Sequence, residues 1–140
     1  MTTSTMISLA NDLRIACQRV SRRVRFESTT DLAPHQVSAL SNLRRGPLTP
    51  GELAEVEQVS APSMTKTVNC LVDKGLVTRT DHPDDGRCKV LTLTDAGLEA
   101  LAHVAQARDD WMVRQLAGLS AEERALLRQA TELLNRVLIR

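Results

Sequence analysis

Apolar residues recur at Leu9, Leu13, Ala16, Cys17, Val20 and Val24, a spacing of three or four that predicts one amphipathic helix from Met6 to about Phe26. Its other faces carry Arg14, Arg19, Arg22, Arg23 and Arg25. Beyond the polar break "ESTTD", Val37, Leu40 and Leu43 recur every third residue behind Pro34, so a second helix is expected until Gly46 and Pro47 stop it. Thr49-Pro50-Gly51-Glu52 reads as a capping box with proline at the first helical position. A short helix to about Glu57 follows from it, with Leu53, Ala54 and Val56 as inward candidates. Ser60 opens another helix in the same manner, with Pro62 in its first turn and a buried stripe expected at Met64, Val68 and Leu71.

Gly75 suits a left-handed helix end, and the β-branched "LVTRT" after it reads as a strand. "DHPDDGR" is a turn-forming cluster and "CKVLTLT", residues 88–94, alternates as the returning strand. Residues 76–94 therefore predict a β-hairpin with a long, charged tip. From Asp95, capped by Thr94, a helical pattern carries Leu98, Leu101, Ala102, Ala105, Met112, Val113 and Leu116 as far as Gly118. Ser120 to Glu123 forms a further capping box, opening a last helix with Leu126, Leu127, Ala130, Leu133, Leu134, Val137 and Leu138. That stripe is wider than one partner helix in a small monomer covers, so the terminal helices are read as a dimer interface.

At 140 residues and 42% hydrophobic content, the chain has the size of one domain able to bury a core without disulfides or metals. Phe26 and Trp111 are its aromatic residues, so leucine, valine, alanine and methionine must fill that core, as in helix-rich proteins. A net charge of +1 carries no global basic signal, so a nucleic-acid footprint has to come from local clustering. No apolar run approaches the roughly 18 residues needed to span a bilayer, and the N-terminus lacks a basic and then apolar leader, so no membrane partner and a cytoplasmic location are expected. Cys17, Cys70 and Cys88 are widely separated, which argues for reduced thiols rather than a disulfide framework or zinc ribbon. His35, His82 and His103 have no metal-ligand spacing, and no metal or other cofactor is expected.

Helix, short turn, helix and then hairpin is the order of a winged helix-turn-helix. The fold class expected is mostly α with a small β-hairpin wing, the winged helix-turn-helix core being joined to N- and C-terminal dimerisation helices. Residues 31–94 are expected to form the DNA-binding region, and 1–30 with 95–140 the helical dimerisation region, as one intertwined domain. A recognition helix enters the major groove by its N-terminal end, where small polar residues fit and long apolar ones clash. Ser60 and Pro62 open that helix, and Ser63, Thr65, Lys66 and Asn69 lie off its buried stripe as groove-contacting candidates. Hydroxyls bond base edges or phosphates, Lys66 suits a guanine edge or a phosphate, and Asn69 suits adenine. Arg87 in the hairpin tip is placed to enter a minor groove. Asp85 could hold its guanidinium or cap the turn, and Arg79 and Lys89 on the strands are candidate phosphate contacts.

"LAPHQVSAL", "LTPGELAE", "SAPSMTKTVNCLVDKGLVTR" and "DGRCKVLTLTDAG" occur in this order. The last reads as D-x-R, five residues, L-T, x-x-G. Residues 33–98 on these motifs resemble the winged-helix core of the multiple antibiotic resistance regulator (MarR) family, and the remainder fits that family's terminal dimerisation helices. The resemblance implies a homodimer on a pseudo-palindromic operator in double-stranded DNA. By position, Ser63, Thr65, Lys66 and Asn69 match the family's recognition helix, and Arg87 and Asp85 the wing arginine and aspartate. It implies a repressor released by a small ligand or by oxidation. Two departures stand out. Glu57 and Gln58 occupy a turn that commonly carries an apolar residue and then glycine, with Val56 or Val59 as substitute packing residues, and Lys66 stands where arginine is common.

Family members often take amphipathic acids or phenols in a cleft between dimer helices and winged region, for which Arg14 and His35 are the candidates here. Cys17 invites comparison with peroxide-sensing relatives but falls on the apolar stripe and reads as a small core residue. Cys70 and Cys88 lie close enough to the reading surface for oxidation to disturb it. The alternatives to a DNA-binding regulator are a winged-helix protein-interaction adaptor and a thiol redox-sensing regulator. No nucleophile, base and orienting group, no glycine-rich phosphate loop and no metal set point to an enzyme.

Overall fold

The computed structural model describes residues 2–28 and 30–138; Thr29 of the polar break and the last two positions of the expected dimerisation region lie outside the described residues. The chain runs α1 (Thr3–Glu27), α2 (Pro34–Arg44), α3 (Pro50–Glu57), α4 (Ala61–Asp73), β1 (Val77–Asp81), β2 (Lys89–Leu93), α5 (Asp95–Ala117) and α6 (Ala121–Val137). Local chemistry starts most of these helices. The hydroxyls of Thr49, Ser60, Thr94 and Ser120 accept from the backbone N–H three residues on, at 3.0–3.2 Å. Glu52 and Glu123 return the bond to the N–H of Thr49 and Ser120. These bonds from the cap backbone, ahead of those from the cap hydroxyls, hold both carboxyls below their ordinary value of 4.5.

The core is one cluster in which α2, α3, α4, the hairpin and the first half of α5 meet. Leu40, Leu53, Leu71 and Leu91 are fully buried at its centre, with Val37, Leu43, Met64, Val68 and Val77 around them. The α2 and α4 stripes therefore bury as their spacing predicts. Val56 does not: it is 57% exposed, because α3 is short and presents only Leu53 and Ala54 inward. Val104, absent from the expected α5 stripe, is buried, while Ala102 and Ala105 of that stripe are exposed.

The strands pair antiparallel, Val77 with Leu93 and Asp81 with Lys89, and Leu48 adds a single bridge to Leu91 in front of α3. Gly75 takes φ +75°, the left-handed conformation that lets the chain leave α4 and enter β1. Gly97 answers a different need. A methyl group there would lie 2.4 Å from the Leu76 carbonyl oxygen and 2.5 Å from the Leu93 side chain, so only glycine lets α5 dock against the base of the hairpin. The last glycine of the L-T, x-x-G motif is thus a packing requirement.

α1 and α6 differ from the rest in having no buried residue. Met6, Ile7, Leu9 and Val20 on α1, and Leu126, Leu127, Leu133 and Val137 on α6, are between 44% and 65% exposed. Cys17 is exposed as well, which corrects its reading as a core residue of the single chain: the stripe it shares is left uncovered. α1 touches the remainder through α5, where the Arg23 guanidinium lies 6.0 Å from the Trp111 ring centre. Among the described residues no helix is long and apolar enough to cross a membrane.

Candidate nucleic-acid interface

The turn that sets α4 against α3 departs from a glycine turn in sequence and keeps its geometry. Gln58 takes φ 55° and ψ 46°, a left-handed conformation that a side chain adopts at a cost of about 1 kcal/mol. Behind it, Glu57 occupies the position expected of an apolar packing residue. Its carboxylate accepts from Ser38 Oγ at 2.8 and 2.9 Å and from Asn42 Nδ2, binding the end of α3 to α2 with charge-assisted bonds. Val56 and Val59 remain 57% and 43% exposed, so neither replaces the apolar residue; a polar anchor does.

α4 is held from below by Met64, Val68 and Leu71, all at or under 3% exposure. Its opposite side presents Pro62, Ser63, Thr65, Lys66 and Asn69 to solvent. Ser60 is spent on the cap, its hydroxyl accepting from Ser63 N–H at 3.2 Å. The Thr65 hydroxyl donates to the Ala61 carbonyl at 2.9 Å, which leaves lone pairs outward, suited to accept from an exocyclic amine of cytosine or adenine. The Lys66 side chain is exposed one turn before Asn69. Asn69 is engaged: its Oδ1 accepts from an Arg79 guanidinium nitrogen at 2.8 Å, across the gap between α4 and β1.

At the hairpin tip, Asp85 both shapes the turn and faces the arginine. Its Oδ1 accepts from the Arg87 backbone N–H at 3.0 Å and lies 3.5 Å from Arg87 Nε. The Arg87 side chain is nevertheless 95% exposed, the freest cation of the tip. Lys89 pairs with Asp81 across the strands, so it reaches a phosphate only by giving up that partner. Cys88 is exposed with Sγ 3.8 Å from Asp85 Oδ2, and Cys70 is half-buried, its Sγ 3.2 Å from Gln36 Nε2. The hydrogen-bond pairing of Gln36 and of Asn69 was not legible in the chain, since neither partner lies nearby in sequence.

Two clefts open elsewhere on the winged region and beside α4. One, of about 720 Å³, lies between the α1–α2 connection, the end of α4 and α5, and is lined by Leu32, Lys74, Leu76, His103 and Val104 among others. The other, of about 380 Å³, opens beside α4 and is lined by His35, Glu57, Lys66 and Cys70 among others. The two expected effector contacts are thus not brought together. His35 borders the smaller cleft, while Arg14 lines neither and donates along its own helix to Asn11 and Gln18.

A helix-turn-helix with an outward polar reading face, followed by a wing carrying an exposed arginine, defines a DNA-binding protein of the winged-helix class. The MarR family model matches residues 30–87. A helix-turn-helix transcriptional regulator of Mycobacterium bovis, Mb0904, is 40% identical over 128 residues, covering 90% of either chain. The transcriptional repressor MdtR of Bacillus subtilis is 29% identical over 121 residues, covering 82% of this chain and 78% of its own. Among solved structures, a putative transcriptional regulator of Pseudomonas aeruginosa matches with a TM-score of 0.74 at 32% identity over 97% of both chains. The chain belongs to the MarR family: it is a DNA-binding transcriptional regulator and not an enzyme.

Proposed function

We propose that the protein is a cytoplasmic repressor that binds a pseudo-palindromic operator as a homodimer. α4 lies in the major groove with Ser63, Thr65, Lys66 and Asn69 toward the bases and nearby phosphates, and Arg87 enters the adjoining minor groove. Ser60 and Pro62 shape the helix start, and Arg79, Asp85 and Lys89 support the flanking backbone contacts. The observation that carries this reading is the pairing of a fully anchored α4, polar only on its outer face, with a 95% exposed arginine on the wing beside it.

The dimer rests on the uncovered apolar faces of α1 and α6. Fully burying one valine, leucine, isoleucine or methionine stabilises by about 1.5–3 kcal/mol. Coverage of several such residues offsets an association cost of roughly 4–15 kcal/mol. A repressing role is supported by the likeness to MdtR. The larger cleft supports release by a small amphipathic acid, because an apolar lining of Leu32, Leu76 and Val104 is combined there with Lys74 and His103.

The test is DNA affinity by fluorescence anisotropy across a salt series. Arg87→Ala is expected to weaken binding about 3- to 30-fold and to make the salt slope shallower by about one. Lys66→Ala is expected to do the same or to relax one operator position. Parental affinity at physiological salt in both variants would remove α4 and the wing from the interface.

A further inference from the structure

Asn69 on a recognition helix suggests adenine, because its amide offers one acceptor and one donor that match the N6 amine and N7 of that base. The geometry argues otherwise. Arg79 Nη1 lies 2.8 Å from Asn69 Oδ1. Arginine carries five N–H donors and no acceptor, so only the oxygen of the amide can face it, and the orientation of the Asn69 side chain is fixed by chemistry. One of the two lone pairs of the acceptor that adenine requires is therefore already taken by a charged donor, and an approaching N6 amine would have to share the oxygen with that cation. Asn69 Nδ2 makes no hydrogen bond among the described residues, and neither do Arg79 Nε and Nη2. In β1, Val77, Arg79 and Asp81 alternate onto one face of the hairpin. Val77 buries that face in the core, and Arg79 continues it beside α4.

We propose that Asn69 and Arg79 act as one unit whose free groups are predominantly donors, joining the recognition helix to the wing and binding a pair of acceptor atoms on DNA in preference to adenine. Lys66, one helical turn before Asn69, adds a further cation to the same face. The matching acceptors are the O6 and N7 of a guanine edge or two phosphate oxygens. This rests on the reading that α4 faces DNA, and it narrows what that face selects. The tether also gives the wing a fixed position relative to α4, so removal of either partner has the same consequence at the DNA.

The experiment is a double-mutant cycle on the full chain, using a duplex recovered by selection from a random pool. Affinity is measured for the parent, Asn69→Ala, Arg79→Ala and the double variant. Each single change is expected to weaken binding about five- to tenfold. The double variant is expected to be at most about twofold worse than the weaker single, as groups acting together require. Losses that multiply, giving a double variant about 25- to 100-fold weaker, overturn the proposal. Asn69→Asp keeps the acceptor for Arg79 and removes the donors; it should retain the parental melting temperature and still lose at least fivefold in affinity, and parental affinity would contradict the unit.

Repeating the selection with Asn69→Ala distinguishes the two sources of acceptors. A parental guanine preference that relaxes in the variant assigns the unit to a base edge. An unchanged profile with a salt slope shallower by about one assigns it to phosphates. A parental adenine preference that relaxes in the variant overturns the proposal. A parent that binds no duplex removes the DNA reading and this unit with it, a result separate from additive losses in a parent that binds.

Discussion

The winged core and the terminal helices are built from similar amphipathic segments and end in opposite states. In the core, α2, α3, α4 and the hairpin close on one another until Leu40, Leu53, Leu71 and Leu91 have no exposed surface. On α1 and α6, leucines and valines at the same helical spacing are half-buried at most. Spacing alone therefore identifies a face that needs a partner without saying whether the same chain provides it. The core's stripes find theirs within the same chain, up to α5 for α2, and those of the terminal helices stay uncovered by it.

The largest effect should come from breaking the second state. Replacing Leu127 and Leu133 of α6 together with glutamate places charges on the uncovered face, and sedimentation should show the mass falling from dimer to monomer. Operator affinity should fall by a factor of about 10² to 10⁴, because two half-sites no longer bind together. The core should keep its fold by circular dichroism, which separates the two regions.

Next in size is a change that injures the core and spares the interface. Gly97→Ala forces a methyl group toward the Leu76 carbonyl oxygen, a backbone atom that moves only with the hairpin. Denaturant unfolding should show a loss of about 1–3 kcal/mol, with the mass in solution unchanged. A smaller effect of opposite sign is expected at the α3–α4 turn. Gln58→Gly removes the side chain from a left-handed position, and stability should rise by several tenths to about 1 kcal/mol.

The smallest effect concerns pH. The Glu52 and Glu123 carboxyls are held below 4.5 by bonds from the Thr49 and Ser120 backbone, with the cap hydroxyls second. A carboxyl lowered in the folded state contributes stability above its unfolded value, and that contribution disappears as pH falls from about 4.5 through the lowered folded value. The melting temperature should therefore drop more steeply below pH 4.5 in the parent than in Glu52→Gln. Because Glu52 caps α3 in the core and Glu123 caps α6, the paired variants Glu52→Gln and Glu123→Gln also report which region loosens first in acid.

The sequence makes local causes visible and hides distant ones. Thr49, Ser60, Thr94 and Ser120 are legible as caps because donor and acceptor lie three residues apart. The hairpin is legible because Gly75 and the tip cluster bracket two β-branched runs, and the buried stripe of α4 follows from spacing. Val56 was misplaced because an eight-residue helix has too few turns for its period to fix a face. Glu57 gave no sign that a carboxylate would replace an apolar anchor, since Ser38 and Asn42 belong to another helix. The role of Asn69 is likewise set by Arg79, ten residues on and in a strand. Residue type and spacing place Ser63, Thr65, Lys66 and Asn69 on the exposed side of α4, but which atoms remain free there depends on contacts between elements.

The central claim is that two copies of this chain, joined through α1 and α6, present two α4 helices to one duplex. Selection of bound sequences from a random duplex pool tests it most directly. The expected result is an inverted repeat whose half-site centres lie about 10 base pairs apart, one turn of the double helix. Enrichment of a single half-site with no symmetric partner, or no enrichment at all, would contradict it.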